Sequence, residues 1–372
     1  MRYLAVFLTS LVFSVPAFAM DTIARAALVI DQKTGTILLE KNADQALPPA
    51  SMSKLMTLNM LFEALQDGRV SLDTRFTVSA RAAAKGGSKM FVKEGTAISV
   101  ENLIRGIIVQ SGNDACIVVA ENLAGSEPDF ARIMTARAKK LGMNDSVFAN
   151  ATGWPDPNHR MSARDLVFLA NRLVTQFPEY YGYFAENSFT WEGITQENRN
   201  PIIGRVQGAD GLKTGHTQEA GYGLVASAQQ ADRRVILMVT GLETATARAS
   251  EAERLMTWAF RQFTEETLIE AGKTVAQGEV WLGATKTVPL TVADPVSALI
   301  PYSARDEVKM EVTYKGPLPA PIVKGDEVGS LLVTIPGLPS QTFPVYAGEN
   351  VAEGGLFQKM RVSADKIADM LN

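Results

Sequence analysis

The chain has one cysteine, Cys116, and two histidines, His159 and His216, among its 372 residues. A single cysteine excludes an internal disulfide, and no His and Cys cluster has the spacing of metal ligands, so neither a metal nor any other cofactor is expected. The net charge is −4 and there is no basic run, which leaves nucleic acid without a footprint. No apolar stretch is long enough to span a bilayer. The best candidate, Leu4 to Val15, is interrupted by Thr9, Ser10 and Ser14 and stops at Pro16, short of the ~20 residues a span needs. That stretch does carry Arg2 before it and Ala17-Phe18-Ala19 after it, the pattern of a secretory signal peptide over residues 1–19. Export is expected, with stability drawn from a hydrophobic core.

What remains is longer than one core usually serves, which suggests two domains. Ala26 to Ile30 and Thr36 to Leu39 flank Asp31-Gln32-Lys33-Thr34-Gly35 as a hairpin, and Tyr222 to Ala228 and Val235 to Thr240 flank Gln229 to Arg234 as a second. Between them Leu55 to Leu65, Leu103 to Val109, Cys116 to Leu123 and Leu166 to Val174 have helical periodicity, and Ala249 to Phe263 closes the region as another helix. Strands at both ends with helices between predict an α/β (α+β) domain over 20–263, an antiparallel sheet covered by helices. Residues 264–353 turn to short alternating runs such as Val308 to Tyr314, predicting a small all-β domain. Residues 354–372 return to helical periodicity, with an apolar stripe from Leu356 to Leu371 that predicts an amphipathic helix.

Ser51-Met52-Ser53-Lys54 opens a helical run, placing Lys54 one turn after Ser51 on the same face. A serine hydroxyl needs a base to become a nucleophile, and a lysine can be that base if burial and a neighbouring cation lower its pKa. Alone the motif is weak: Ser363-Ala364-Asp365-Lys366 matches it, and Ser51 reads equally well as a helix cap. Two further motifs change this. Ser111-Gly112-Asn113 is the only Ser-x-Asn, and Lys213-Thr214-Gly215 follows it, immediately before a predicted strand. An earlier Lys33-Thr34-Gly35 precedes Ser51 and falls in a hairpin turn, so order and context favour the later copy. Ser-x-x-Lys, Ser-x-Asn and Lys-Thr-Gly together are the set shared by serine β-lactamases and penicillin-binding proteins.

On these motifs, residues 23–263 resemble the catalytic domain of low-molecular-mass penicillin-binding proteins that act as serine-type D-alanyl-D-alanine carboxypeptidases, the peptidase S11-like family. Ala50 to Thr57, Ser111 to Cys116, Asp210 to Thr217, Asn198-Arg199-Asn200 and Arg248 to Ala252 all share the likeness. The resemblance implies a β-lactamase/transpeptidase-like fold and peptidoglycan stem peptides ending in D-Ala-D-Ala as substrate, with β-lactam antibiotics as mimics. It implies Ser51 as nucleophile and Lys54 as base, Ser111 and Lys213 as proton relay, and Asn113 on the substrate amide. The backbone N–H groups of Ser51 and His216 would form the oxyanion hole. Thr214, Gly215, Thr217, Arg248 and, more weakly, Arg199 would bind substrate around its terminal carboxylate. It further implies a periplasmic enzyme held on the outer face of the cytoplasmic membrane by the C-terminal helix.

Three alternatives stay open. A serine β-lactamase shares the motifs, but no Glu-x-x-Leu-Asn segment follows Ser111-Gly112-Asn113 to supply its deacylating water. A DD-endopeptidase would cut a cross-link lacking the free carboxylate, and a silent peptidoglycan-binding scaffold would not need all three motifs. Cys116 is expected to be a packed residue and His159 a structural one.

Overall fold

The computed structural model describes residues 20–355, so the predicted leader and nearly all of the predicted terminal helix lie outside the described residues. The chain divides into two compact units, one of residues 21–262 and one starting at 263.

In the first unit, β1 (Ala26–Asp31), β2 (Ile37–Lys41), β3 (Ala209–Thr217), β4 (Gly221–Gln230) and β5 (Arg233–Leu242) form one antiparallel sheet in the order β2-β1-β5-β4-β3. The middle strands are near-continuous apolar runs because both faces are covered. Ile236 and Met238 of β5 join the main core, while the alternating Leu237 and Val239 are buried on the other face. Helix α6 (Ala245–Gln262) packs against β4 and β5.

The other long helices are α1 (Lys54–Gln66), α2 (Val100–Ile108), α3 (Asn113–Ala124), α4 (Glu127–Lys140) and α5 (Ala163–Gln176), with short ones at Ala80–Ala84 and Pro178–Tyr181. Ser99, Ser126 and Ser162 start α2, α4 and α5 by accepting a backbone N–H with their hydroxyls. By contrast α1 is buried on nearly every side, from Lys54 through Leu65, which makes it an interior helix against α3, α4 and α5. Ser51, just before its start, is therefore carried on an interior helix.

Three expectations need correction. The second hairpin turns at Ala231-Asp232 rather than over Gln229 to Arg234, because Gln229 pairs with Arg234 and Gln230 with Arg233 and the ladder continues through these polar residues. The closing helix ends at Gln262, and Phe263 begins a strand. Lys213 lies inside β3, not before a strand. Its run of Gly, Lys and Thr hides the strand because β3 is the sheet edge, paired only with β4, where alternation of apolar residues is not required.

The second unit comprises β6 (Phe263–Ile269), β7 (Thr274–Trp281), β8 (Thr287–Thr291), β9 (Val296–Pro301), β10 (Lys309–Tyr314), β11 (Leu318–Pro319), β12 (Glu327–Thr334) and β13 (Gln341–Ala347). β6 pairs with β9, and the others form a sheet ordered β10-β12-β13-β8-β7-β11. Val288, Leu290, Leu331, Val333 and Val345 make its core.

Candidate active site

Ser51 sits in a single 3-10 turn, Ala50–Ser53, directly before α1. No side chain caps either that turn or α1, so Ser51 is not a helix cap. Its Oγ instead lies 2.8 Å from Nζ of the fully buried Lys54. Lys54 Nζ also donates to the Thr152 carbonyl at 2.6 Å. Burial lowers the Lys54 ammonium to about 8, with Arg199 adding to the effect and Asp114 opposing it. When the amine is neutral it can keep its bond to Thr152 and turn its lone pair to the Ser51 hydroxyl.

Backbone strain marks this corner. Ala50, a non-glycine residue, has φ 48°, and Gly153 packs so closely that a Cβ there would lie 1.8 Å from the Ala50 carbonyl oxygen. Only glycine serves at 153, which also has φ +78°. Asn150 Oδ1 accepts from the N–H groups of Thr152, Gly153 and Trp154 at 3.0, 2.9 and 3.0 Å. That fan of bonds fixes the Thr152 carbonyl against Lys54.

Ser111, at φ 58°, makes the turn from α2 into α3, whose first residue is Asn113. Asn113 donates from Nδ2 to the Gly86 carbonyl at 2.9 Å and from its backbone N–H to the Ser88 carbonyl at 2.8 Å. The buried Asp114 carboxylate accepts from Met90, Phe91 and Val92 at 2.8, 2.8 and 3.2 Å. Together these hold the 86–92 loop along the site.

The opposite wall is β3. Lys213 is buried and held well below the ordinary lysine value by burial and by the neighbouring Lys54, and its Nζ donates to the Thr214 carbonyl at 3.2 Å. Gly215 lets the strand approach: a Cβ there would stand 3.0 Å from the Pro49 carbonyl oxygen and from Met52.

Two cavities meet at Ser51. One, of about 320 Å³, is lined by Ser111, Thr214, Gly215, Arg199 and Arg248 together with Ser88. Asn198 and Asn200 anchor the Arg199 segment, Asn200 by donating to the Gly211 carbonyl at 2.6 Å and Asn198 to those of Phe184 and Glu186 at 3.2 and 2.9 Å. Arg199 donates to Ser88 Oγ at 2.5 Å. Arg248 lies over the Tyr222 ring, and its buried Nε has no hydrogen-bond partner among the described residues. Partial burial lowers the pKa of both arginines, and a carboxylate entering here would meet two guanidinium groups that still face the cavity, Arg199 the more open to solvent. The other cavity, of about 330 Å³, is walled by Asn113, Thr152, Trp154, His216 and Thr217. The structure thus places Lys54, Ser111, Asn113, Arg199, Thr214, Gly215, His216, Thr217 and Arg248 around Ser51, with Lys213 on the strand that walls the site.

Other candidates fall elsewhere. Lys33 is at the exposed hairpin turn, 3.1 Å from Asp232, while the second Ser-x-x-Lys at 363 lies outside the described residues. His159 is buried beside Phe148, lowered to about 4 by burial, and lines neither cavity. Burial pushes the Cys116 thiol up to about 12, leaving it protonated and unreactive at neutral pH. Among the described residues no group of three His, Cys, Asp or Glu side chains is placed to hold a metal ion.

The sequence reading missed Ser88, Asp114, Asn150, Thr152 and Trp154. Gly86-Gly87-Ser88 and the Asn150-x-x-Gly153 turn are signals that could have drawn attention, since both are turn chemistry between helical runs.

The family model for D-alanyl-D-alanine carboxypeptidase matches residues 14–244, and that for the penicillin-binding protein 5 C-terminal domain matches residues 263–353. D-alanyl-D-alanine carboxypeptidase DacC of Escherichia coli (strain K12) is 39% identical over 345 residues, 91% of this chain and 86% of that protein. The crystal structure of penicillin-binding protein 5 from Haemophilus influenzae covers 90% of this chain and 99% of its own at a TM-score of 0.76 and 32% identity. Penicillin-binding protein D2 from Listeria monocytogenes, solved in its ampicillin-bound form, covers 64% of this chain and 97% of its own at a TM-score of 0.59 and 32% identity.

Proposed function

The chain belongs to the D-alanyl-D-alanine carboxypeptidase family, and we propose that this hydrolase trims peptidoglycan stem peptides through an acyl-enzyme on Ser51. It is a serine-type DD-carboxypeptidase with a penicillin-binding protein fold. The observation that carries the assignment of its nucleophile is the 2.8 Å contact between Ser51 Oγ and the buried Lys54 amine.

Neutral Lys54 takes the hydroxyl proton as Ser51 Oγ bonds to the carbonyl carbon of the penultimate D-alanine. The oxyanion faces the backbone N–H groups of Ser51 and His216. As the tetrahedral centre collapses, the C–N bond breaks and the departing amine takes the proton that Lys54 removed, relayed through Ser111 and Lys213, which leaves Lys54 neutral again. Water then attacks the ester as Lys54 takes its proton, and Lys54 passes that proton to Ser51 Oγ as the ester bond breaks, releasing the shortened peptide with the Ser51 hydroxyl restored. Asn113 holds the amide of the acyl half. Thr214, Gly215, Arg199 and Arg248 hold the terminal carboxylate, whereas Thr217, expected with them from the sequence, walls the neighbouring cavity instead. That carboxylate favours carboxypeptidase over endopeptidase action, because a cross-linked substrate has none beside its scissile bond and would leave Arg199 and Arg248 without an anion to pair with.

Penicillin should acylate Ser51 and be found there by mass spectrometry; labelling that persists in Ser51→Ala would overturn the assignment. Arg248→Ala should lower turnover of a free-acid pentapeptide about 10- to 100-fold, as expected for a lost charged hydrogen bond. An amidated peptide should be processed alike by wild type and variant; equal losses on both substrates would make Arg248 structural.

The site residues, the domain limits 20–263 and 264–353, and export of the chain to the periplasm after residue 19 belong to the same proposal. Among the described residues no helix is long and apolar enough to cross a membrane. We assign surface attachment to residues 354–372 from their apolar stripe. Deleting the chain after Gly354 should move it from the membrane pellet to the soluble fraction with penicillin acylation retained; a full-length protein that never pellets with bilayers would end this part of the proposal.

A further inference from the structure

We propose that Tyr222 is a positioning residue, whose ring holds the Arg248 guanidinium ready for the terminal carboxylate and so sets the preference for a peptide with a free-acid end. The inference rests on the carboxypeptidase reading, which gives Arg248 its anion. No motif marks Tyr222, and it lines neither cavity at Ser51. Its place comes from the sheet: Tyr222 on β4 is the direct partner of His216 on β3, so the two side chains share a face. Their rings are stacked, with centroids 3.8 Å apart and planes 27° from parallel.

Arg248 has little else to hold it. Its Cζ lies 5.6 Å from the centre of the Tyr222 ring, while its buried Nε has no hydrogen-bond partner and no carboxylate pairs with it among the described residues. Arg199, which lines the same cavity, is by contrast tied to the Ser88 hydroxyl at 2.5 Å. The two arginines are therefore oriented by different means, one by a hydrogen bond and the other by a ring face.

A ring face attracts a cation through its quadrupole without neutralising it, so the charge and the N–H groups stay available to a ligand anion. A carboxylate in place of the ring would compete with the substrate. An aliphatic side chain there would leave the long arginine free to sample rotamers that binding must then freeze. The ring itself stands on tightly packed backbone. At Gly223, the next residue, a Cβ would lie 2.6 Å from the Met52 methyl group and 3.0 Å from Thr240 Oγ1, so this part of β4 is pressed against the turn that carries Ser51. Stacked on His216 and seated on that strand, Tyr222 gives Arg248 a fixed surface at a fixed distance from the nucleophile.

The test measures kcat and KM for cleavage of N-acetyl-L-Ala-D-Ala-D-Ala and of its C-terminal amide, and compares the two as a ratio of kcat/KM. Wild type should prefer the free acid about 10- to 100-fold, as for a charged hydrogen bond. Tyr222→Leu should lower that preference about three- to tenfold, the scale of a partly exposed cation–π contact. The loss should be mostly a higher KM for the free acid, because the carboxylate is bound alike in the ground and transition states. Tyr222→Phe keeps the ring face and should keep the wild-type ratio. Added to Arg248→Ala, Tyr222→Leu should lower the ratio no further, since it acts through the guanidinium. Because the readout is a ratio within one protein, partial misfolding of a variant does not mimic it. An unchanged ratio in Tyr222→Leu, an equal loss in Tyr222→Phe, or a further loss in the double variant would overturn the ring's role while leaving the carboxypeptidase reading standing. A wild-type protein that releases no D-alanine from the free acid would instead overturn that reading.

Discussion

The two units solve opposite problems. All the described polar and charged side chains that are buried, among them Lys54, Ser111, Asn113, Asp114, Glu127 and Lys213, lie in residues 21–262, while the described core of the β unit is made of residues such as Val288, Leu290, Leu331 and Val345. Burying a lysine or an aspartate costs free energy that only partners or a lost proton relieve. The first unit accepts that cost at Ser51, and it can because α1 and α3 are enclosed by apolar contacts on almost every side. The β unit shows what the same chain does when no chemistry is asked of it: alternating strands, an apolar interior and polar residues outside.

The sharpest way to break this comparison is to remove the buried amines. Lys54→Ala and Lys213→Ala should each slow acylation of Ser51 by penicillin by about 10²–10⁴-fold, the usual worth of general acid-base groups. If the two act in one proton network, the double variant should lose much less than the product of the single effects. Additive losses in stopped-flow acylation would mean that Lys213 serves binding alone. The counterpart in the β unit is Leu290→Ala, which should lower stability by about 2–5 kcal/mol by opening a cavity between its strands. Acylation draws on none of those residues and should keep its rate below the melting transition.

The Lys54 pKa links activity to stability with opposite signs. Acylation needs the neutral amine, so its rate should climb about tenfold per pH unit and level off near 8. In the unfolded chain the same amine titrates near its ordinary ~10.4. Between about 8 and that value the unfolded state binds more protons, so stability should rise with pH across this window. Below about 8 the penalty of the buried ammonium is complete and no longer changes with pH. Lys54→Met removes it and should stabilise the first unit at pH 7 by up to about 3 kcal/mol, less the lost bond to Thr152, while slowing acylation as Lys54→Ala does. A variant both inactive and less stable at pH 7 would show that the Thr152 bond outweighs desolvation.

How much of this was legible beforehand depends on sequence distance. Ser51 and Lys54 are one turn apart on adjoining helical segments, and Ser111 and Asn113 bracket a helix start, so spacing and chain order sufficed. The Lys54 bond to the Thr152 carbonyl spans 98 positions, and that between Met90 and Asp114 spans 24. Such contacts are made by packing, and no local pattern announces them. Trp154 gives no local signal, because a single aromatic after a glycine is ordinary in a loop, and its place in a cavity wall comes from the fold. β3 was half-missed because an edge strand facing a polar site loses the alternation by which strands are recognised.

The smallest effect should come from the second copy of the Lys-Thr-Gly motif, where a like sequence meets unlike surroundings. The Lys33 amine is 45% exposed and its partner Asp232 is 78% exposed at 3.1 Å, whereas Lys213 is 2% exposed and feels the charge of Lys54. A pair so open to water adds almost nothing to stability, and less still in salt, because solvent already screens both charges. Lys33→Ala should therefore shift the melting temperature by no more than ~2 °C and leave acylation unchanged. Thr34 next to it is a different matter. Its N–H and its hydroxyl both reach Asp31 Oδ1, at 3.0 and 2.9 Å, and Asp31 is itself buried against Arg233. Thr34→Ala should cost about 1 kcal/mol of stability, seen as a modest fall in denaturation midpoint with acylation intact. The first copy would then be a turn lock whose lysine is incidental, and the second a reactive wall whose lysine is essential. Acylation lost in Lys33→Ala on the scale of Lys213→Ala would reverse that assignment and tie the hairpin to the chemistry.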